Sequence, residues 1–274
     1  MGAITTRKLA AIAGVLFCLG PRAASPCAAA PDLHAQAVAA ALAHDFSDPD
    51  LNYILLDQKG QVLASRWEEP DKEIAIGSLI KPFLAVGYRR THNGFPKYRC
   101  IGKKTCWLPR GHGVLGIREA IAVSCNSYFH QLIANGGPGF AAPTLKSFGL
   151  EADGQTESGH ASPARLANAY FELASSLRDD AVGPVLSGMA MSARSGTSKA
   201  VHSDLPDIPA IAKTGTAPCS HTKKAPGDGL AVVIAPADHP RVLVLARVHG
   251  RPGAFAADVA ARMIAATEAK GGGR

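Results

Sequence analysis

The sequence predicts an α+β fold in two lobes, one an antiparallel sheet flanked by terminal helices and the other made only of helices. Two observations carry this prediction. Short apolar runs of strand length lie near both ends of the chain, at 52–56, 61–65, 210–212, 230–234 and 242–248. The stretch between them, from 117 to 194, reads almost entirely as helix. The simplest assembly draws one sheet from both ends and closes it with the helices outside it. A hydrophobic content of 47% is ample for such a core.

Taken in order, the chain opens on a leader. Arg7 and Lys8 form a basic region, 9–19 an apolar one, and Ala23-Ala24-Ser25 a small-residue segment. That is the pattern of a secretory signal peptide over 1–25, with cleavage between 25 and 30. The apolar part is short for a bilayer span, and an uncleaved anchor is the alternative. The expected product is an exported, periplasmic or extracytoplasmic protein, soluble after cleavage. Its domain covers 31–270, with a sheet lobe at 31–77 and 205–270 and a helical lobe at 78–204. Loss of Arg7, Lys8 and Arg22, and of no acid, lowers the net charge from +7 to +4. No basic run interleaved with aromatics points to nucleic acid.

An alanine-rich amphipathic helix covers 33–46, and Asp57-Gln58-Lys59-Gly60 joins the first two strands as a hairpin. A helix is expected around Ser78. Residues 91–113, rich in Gly, Lys, Arg, His and Cys, read as a loop. Helices follow at 117–123 and 127–134, the second stopped by Asn135-Gly136-Gly137-Pro138-Gly139. Ser162-Pro163 supplies a cap and a first-turn proline for a helix to Leu177, and another covers 184–194. The turn at 236–240 makes a hairpin of the last two strands, and a final helix runs over 254–269.

Export makes disulfides permissible. Cys100 and Cys106 bracket a short polar loop, and a bridge between them is expected. Zinc is the rival, since His112 follows closely, but five residues between cysteines is not a usual zinc spacing and no second pair follows. No metal and no cofactor are therefore expected. Cys125 and Cys219 read as buried thiols acting as small hydrophobes.

The chemistry centres on Gly77-Ser78-Leu79-Ile80-Lys81-Pro82-Phe83. On a helix, Ser78 and Lys81 share a face at about 5–6 Å between Cβ atoms. A hydroxyl needs an adjacent base, and a buried lysine can serve. Pro82 disfavours helix at Lys81, so the first turn must tolerate an imperfect bond. The pattern alone is weak, because Ser220-His221-Thr222-Lys223 repeats it by chance. Two further groups give Ser78 its weight. Ser124-Cys125-Asn126 sits at a helix junction, where the serine could relay a proton and the asparagine could bind an amide. By itself it would be an ordinary cap. Lys213-Thr214-Gly215-Thr216 ends an apolar strand with a positive charge, two hydroxyls suited to a carboxylate, and a glycine that allows close approach to the backbone.

Ser-x-x-Lys, Ser-x-Asn and Lys-Thr-Gly occur in this order, 46 and then 89 residues apart. That is the three-part signature of penicillin-binding proteins and serine β-lactamases. The chain resembles the transpeptidase domain of the penicillin-binding proteins over about 50–265, including Ser162–Tyr170, Gly188-Met189 and Gly196-Thr197. The resemblance implies a serine β-lactamase/transpeptidase-like fold and an acyl-serine D,D-peptidase or transpeptidase. Its partners would be peptidoglycan stem peptides and β-lactams; the sequence is silent on a partner synthase. It makes Ser78 the nucleophile, Lys81 its base, Ser124 the proton donor to the leaving amine and Lys213 the source of the local field. Asn126 would bind the substrate amide and Thr214, Gly215 and Thr216 its carboxylate end. The backbone N–H groups of Ser78 and Thr216 would form the oxyanion hole.

Other readings fare less well. A class A β-lactamase would use an extra glutamate, and Glu151, Glu157 and Glu172 lie in no recognisable context; a class D enzyme would modify the motif lysine and usually end its second motif in an apolar residue rather than Asn126. A wall-fragment receptor would need a signalling span. A Ser-His-Asp hydrolase would show a Gly-x-Ser-x-Gly elbow, which does not occur.

Overall fold

Alternation along the strands decides which lobe each side chain joins. The structure, a computed structural model, describes residues 33–150, 159–219 and 223–271, together with Gly2 and Thr156. The leader, Ser220, Glu151 and Glu157 lie outside the described residues.

In chain order, helix α1 (Leu33–Asp45) leads into the hairpin of β1 (Leu51–Leu56) and β2 (Val62–Ser65). Its turn closes as the sequence predicts: the Asp57 carboxylate accepts from the N–H groups of Lys59 and Gln61, both at 2.8 Å. After β3 (Ile74–Ala75) and one 3-10 turn, Gly77–Ile80, comes α2 (Lys81–Thr91). The short strands β4 (Tyr98–Cys100) and β5 (Gly113–Leu115) pair, so the stretch expected as a plain loop is closed at its base. Helices α3 (Ile117–Ala122), α4 (Asn126–Gly136) and α5 (Ala142–Ser147) follow, then β6 (His160–Ala161), which pairs with β3. Next are α6 (Pro163–Ser175), α7 (Gly183–Ser195) and α8 (Ala200–Asp204). Strands β7 (Ile211–Ala217), β8 (Asp228–Ala235) and β9 (Val242–Val248) and helix α9 (Gly253–Gly271) complete the chain.

The five long strands form one antiparallel sheet in the order β2-β1-β9-β8-β7. Both faces are covered. Leu51, Tyr53 and Leu55 of β1 join Ala231, Val233 and Val244 in a core capped by α1 and α9. Ile54 and Leu56 point the other way, with Val232, Ile234 and Leu245, into the core shared with the helical lobe. Each large apolar side chain among these that is removed from water contributes about 1.5–3 kcal/mol. In the helical lobe, Phe83 meets the edges of Phe148 and Tyr170 at 5.1 and 5.0 Å between ring centres. Asp32–Arg274 behaves as one compact unit, and no helix among the described residues is long and apolar enough to cross a membrane.

Candidate active site

Gly77 joins the two lobes. Its φ of +50° is easy only for glycine, and a Cβ there would stand 2.5 Å from the carbonyl oxygen of Thr216. The absence of a side chain lets the turn carrying Ser78 lie against the exposed edge of β7. Ser78 is half-buried at the start of the 3-10 turn, and Lys81 is the first residue of α2, with no exposure at all. This differs from the helix expected through both residues. Pro82 explains the difference: as an early α2 residue, its missing N–H is one that the helix start leaves unpaired anyway. The turn is fixed from behind by Tyr170 of α6, whose buried hydroxyl donates to the Leu79 carbonyl at 2.6 Å. Burial pushes that phenol well above its ordinary pKa, so it stays a donor.

The second group sits at the start of α4. Cys125, not Ser124 or Asn126, is the cap: its sulfur accepts from the Tyr128 N–H at 3.4 Å. Both polar neighbours are thereby released toward the cavity. Ser124 holds a φ of +50°, uncommon for a residue with a side chain, and such strain persists where the surroundings impose it. The Lys81 amine donates to the Asn126 side-chain oxygen at 2.7 Å and to the Ser124 carbonyl at 3.3 Å. From the opposite side the Lys213 amine donates to the Ser124 hydroxyl at 2.8 Å and to the Thr214 carbonyl at 2.7 Å. Two lysines without exposure are costly unless their donors are paired, and here both are paired onto one turn.

A cavity of about 600 Å³ opens over these groups. Ser78, Ser124, Asn126, Thr214, Gly215 and Thr216 all line it. The structure therefore brings together the site residues expected from sequence. It adds others. Thr197, after α7, shares a 2.7 Å hydrogen bond with the Thr214 hydroxyl and continues to Ser192 at 3.4 Å and Ser198 beyond it. Trp107, 54% exposed, forms the opposite wall and donates its Nε1–H to the Val123 carbonyl at 3.1 Å. Thr197 entered the sequence reading only within the resemblance, without a role, and a tryptophan after a cysteine carried no signal of its own. Glu172, weighed as a second base, is exposed on α6 and does not line the cavity.

The expected Cys100–Cys106 disulfide is not formed. Both thiols are free and turn toward His112 and Cys125. The sequence left Cys125 without a partner, and the fold brings it beside Cys106 at 3.8 Å between sulfurs. Burial opposes ionisation of Cys100, but hydrogen bonds from the His112 backbone and ring prevail and lower its pKa to about 6. Burial raises Cys125 well above the thiol range.

No protein-family profile and no curated protein matches this sequence. Solved structures do. One, from a peptidoglycan synthase complex that coordinates polymerization and crosslinking, superposes with a TM-score of 0.71 at 19% identity, over 86% of this chain. This chain spans only 61% of that neighbour's length. The transpeptidase domain of the FtsI4 D,D-transpeptidase from Legionella pneumophila gives 0.64 at 18% identity, over 87% of this chain and 97% of its own. A penicillin-binding protein from Helicobacter pylori, solved in complex with MreC, gives 0.71 at 14% identity, over 86% and 63%. With its five-stranded antiparallel sheet and flanking helices, this chain has the fold of the penicillin-binding protein transpeptidase domains.

Proposed function

We propose that the protein is an acyl-serine D,D-peptidase or transpeptidase acting on the D-Ala-D-Ala ends of peptidoglycan stem peptides, and that β-lactams acylate it. One observation supports this reading above the rest: the Lys213 amine, the Ser124 hydroxyl, the Ser124-to-Asn126 turn and the Lys81 amine form a continuous polar path beside Ser78. The substrate lies outside the cytoplasm, so the proposal includes export.

In this mechanism Ser78 Oγ attacks the carbonyl carbon of the penultimate D-alanine as its proton passes to Lys81. The developing oxyanion is held by the N–H groups of Ser78 and Thr216, and the contact of Gly77 with Thr216 supports that pairing. Ser124 then donates a proton to the leaving amine nitrogen, the C–N bond breaks and D-alanine departs. The proton taken up by Lys81, whose amine lies against the Ser124 residue, returns to Ser124, while Lys213 keeps its positive charge and offers it, with Thr214 and Thr216, to the terminal carboxylate. Water or an acceptor amine takes the acyl group from Ser78.

The test is intact mass followed over time with a penicillin, alongside turnover of a D-Ala-D-Ala peptide or thioester mimic. The expected result is one stable adduct at Ser78, absent in Ser78→Ala and retained in Ser220→Ala, with turnover of the peptide or thioester. Label that survives Ser78→Ala would sink the assignment. Rapid penicillin hydrolysis would make the protein a β-lactamase, and stable labelling without any turnover would make it a receptor.

A further inference from the structure

We infer that Cys100, Cys106, His112 and Cys125 bind one zinc-type divalent ion, and that this ion fastens the Trp107 wall of the cavity to the turn carrying Ser124.

The four side chains come from separate places: the end of β4, the loop after it, the approach to β5, and the cap of α4. Their ligand atoms nevertheless all lie within 4.8 Å of one another, three of the residues being buried. The individual separations are more telling. His112 Nδ1 is 3.6 Å from the Cys100 sulfur and 3.4 Å from the Cys106 sulfur, and the Cys106 and Cys125 sulfurs are 3.8 Å apart. A tetrahedral ion with bonds of about 2.3 Å to sulfur and about 2.0–2.1 Å to nitrogen requires sulfurs about 3.8 Å apart and nitrogen about 3.5 Å from sulfur. A disulfide requires about 2.05 Å. These three separations match edges of that tetrahedron, and the remaining pairs lie within 4.8 Å.

Hydrophobic thiols would account for one or two buried cysteines, but not for an imidazole nitrogen directed at two sulfurs in the same cluster. The ligand set is soft, with no carboxylate in it, which favours zinc over calcium or magnesium. Three thiolates and a neutral imidazole around a divalent ion carry one net negative charge, and the loop supplies Lys103, Lys104 and Arg110 as neighbours in sequence. The loop also doubles back tightly: a Cβ on Gly102 would strike the Pro109 carbonyl oxygen at 2.2 Å. The expectation of no metal rested on the cysteine spacing in sequence. It missed the fourth ligand, which lies inside the Ser124-Cys125-Asn126 triplet.

The link to the cavity follows from the same residues. Trp107 succeeds a ligand, packs edge-on against the His112 ring at 5.2 Å, and donates to the carbonyl of Val123 next to Ser124. Cys125 lies between Ser124 and Asn126, the residues gripped by Lys213 and Lys81. Holding the Cys125 sulfur therefore holds both sides of the cavity mouth.

The experiment begins with the metal content of the full chain purified without chelator, followed by replacement with Co²⁺. The expected outcome is one zinc per chain and a thiolate-to-cobalt absorption typical of tetrahedral sulfur ligation. Cys106→Ser should weaken Co²⁺ binding by more than the about 10–100-fold typical of losing an outer-shell partner. Cys219→Ser should leave it unchanged. Should Cys106→Ser fail to fold, His112→Ala provides the same comparison. Protein that takes up neither metal, or whose peptide map shows a Cys100–Cys106 disulfide, overturns the site. The fastening rests in part on the acyl-serine reading, so two readouts are needed. Removal of the ion should slow penicillin acylation at least several-fold and change Trp107 fluorescence, and zinc should restore both. Unchanged acylation and fluorescence overturn the fastening. If neither form labels with penicillin, the acyl-serine reading fails, and the fluorescence alone decides the fastening.

Discussion

The two walls of the cavity are held by different means. On one side β7 is buried at every residue but Thr216, and it pairs with β8 from Ile211↔Ile234 to Ala217↔Asp228. On the other, the segment from β4 to β5 leaves Ile101, Trp107 and Val114 more than half exposed and buries little besides Cys100, Cys106 and Leu115. The first wall owes its position to a sheet that is apolar on both faces, so no single contact decides it. The second is held by a few separate contacts: the cluster of sulfurs and an imidazole, the Trp107 bond to Val123, and Tyr128 and Gln131 of α4 on Pro96, Tyr98 and Arg99. Perturbations should therefore spread through the sheet side and stay local on the hairpin side.

The largest expected effect belongs to the proposed base, which neither wall supplies. Lys81→Gln removes the amine held by the Ser124-to-Asn126 turn, and acylation by penicillin should fall about 10²–10⁴-fold with the melting temperature little changed. A variant acylated at more than a tenth of the wild-type rate would exclude Lys81 as the base. On the sheet side, Gly77→Ala places a methyl against Thr216 at a strained φ. It should cost about 1–3 kcal/mol in urea unfolding and slow acylation as well. Stability equal to wild type would show that the lobes are not joined there. On the hairpin side, Trp107→Ala should change stability by no more than about 0.5 kcal/mol. The penicillin concentration giving half-maximal acylation should rise about 2–10-fold with the limiting rate unchanged, as expected for a lost aromatic contact. Loss of stability comparable to that of Gly77→Ala would erase the contrast between the walls.

The same contrast governs what could be read from sequence. The sheet was legible because apolar runs at 230–234 and 242–248 are long and bounded by turn residues. The residues gathered around the cavity were legible because three short motifs keep a fixed order even when each is weak alone. The hairpin was not. Tyr98-Arg99-Cys100 and Gly113-Val114-Leu115 are three residues each, too short for alternation to show, and lie within a cation-rich stretch. Pairing Cys100 with Cys106 was the natural reading of nearby cysteines, but only the fold reveals that Cys125 returns to the same point. Tyr170 and Thr197 fell within the resembling segments, but their partners, the Leu79 carbonyl and the Thr214 hydroxyl, are 91 and 17 residues away, and contacts of that kind leave no local pattern.

The strand order carries a consequence for synthesis. β1 lies beside β9, and β7, which completes the site around Ser78, is made after the whole helical lobe. At about 5–20 residues per second, Ser78, the proposed nucleophile, leaves the ribosome on the order of ten seconds before the strand that carries Thr216. During that interval β1 has lost its main neighbour as well, so the sheet has no centre on which to assemble. Arrested chains ending before β7 should take up no fluorescent penicillin, and full-length released chains should take it up. If Ser78 is the nucleophile proposed above, the order in which the strands are made keeps it from reacting until β7 has been added.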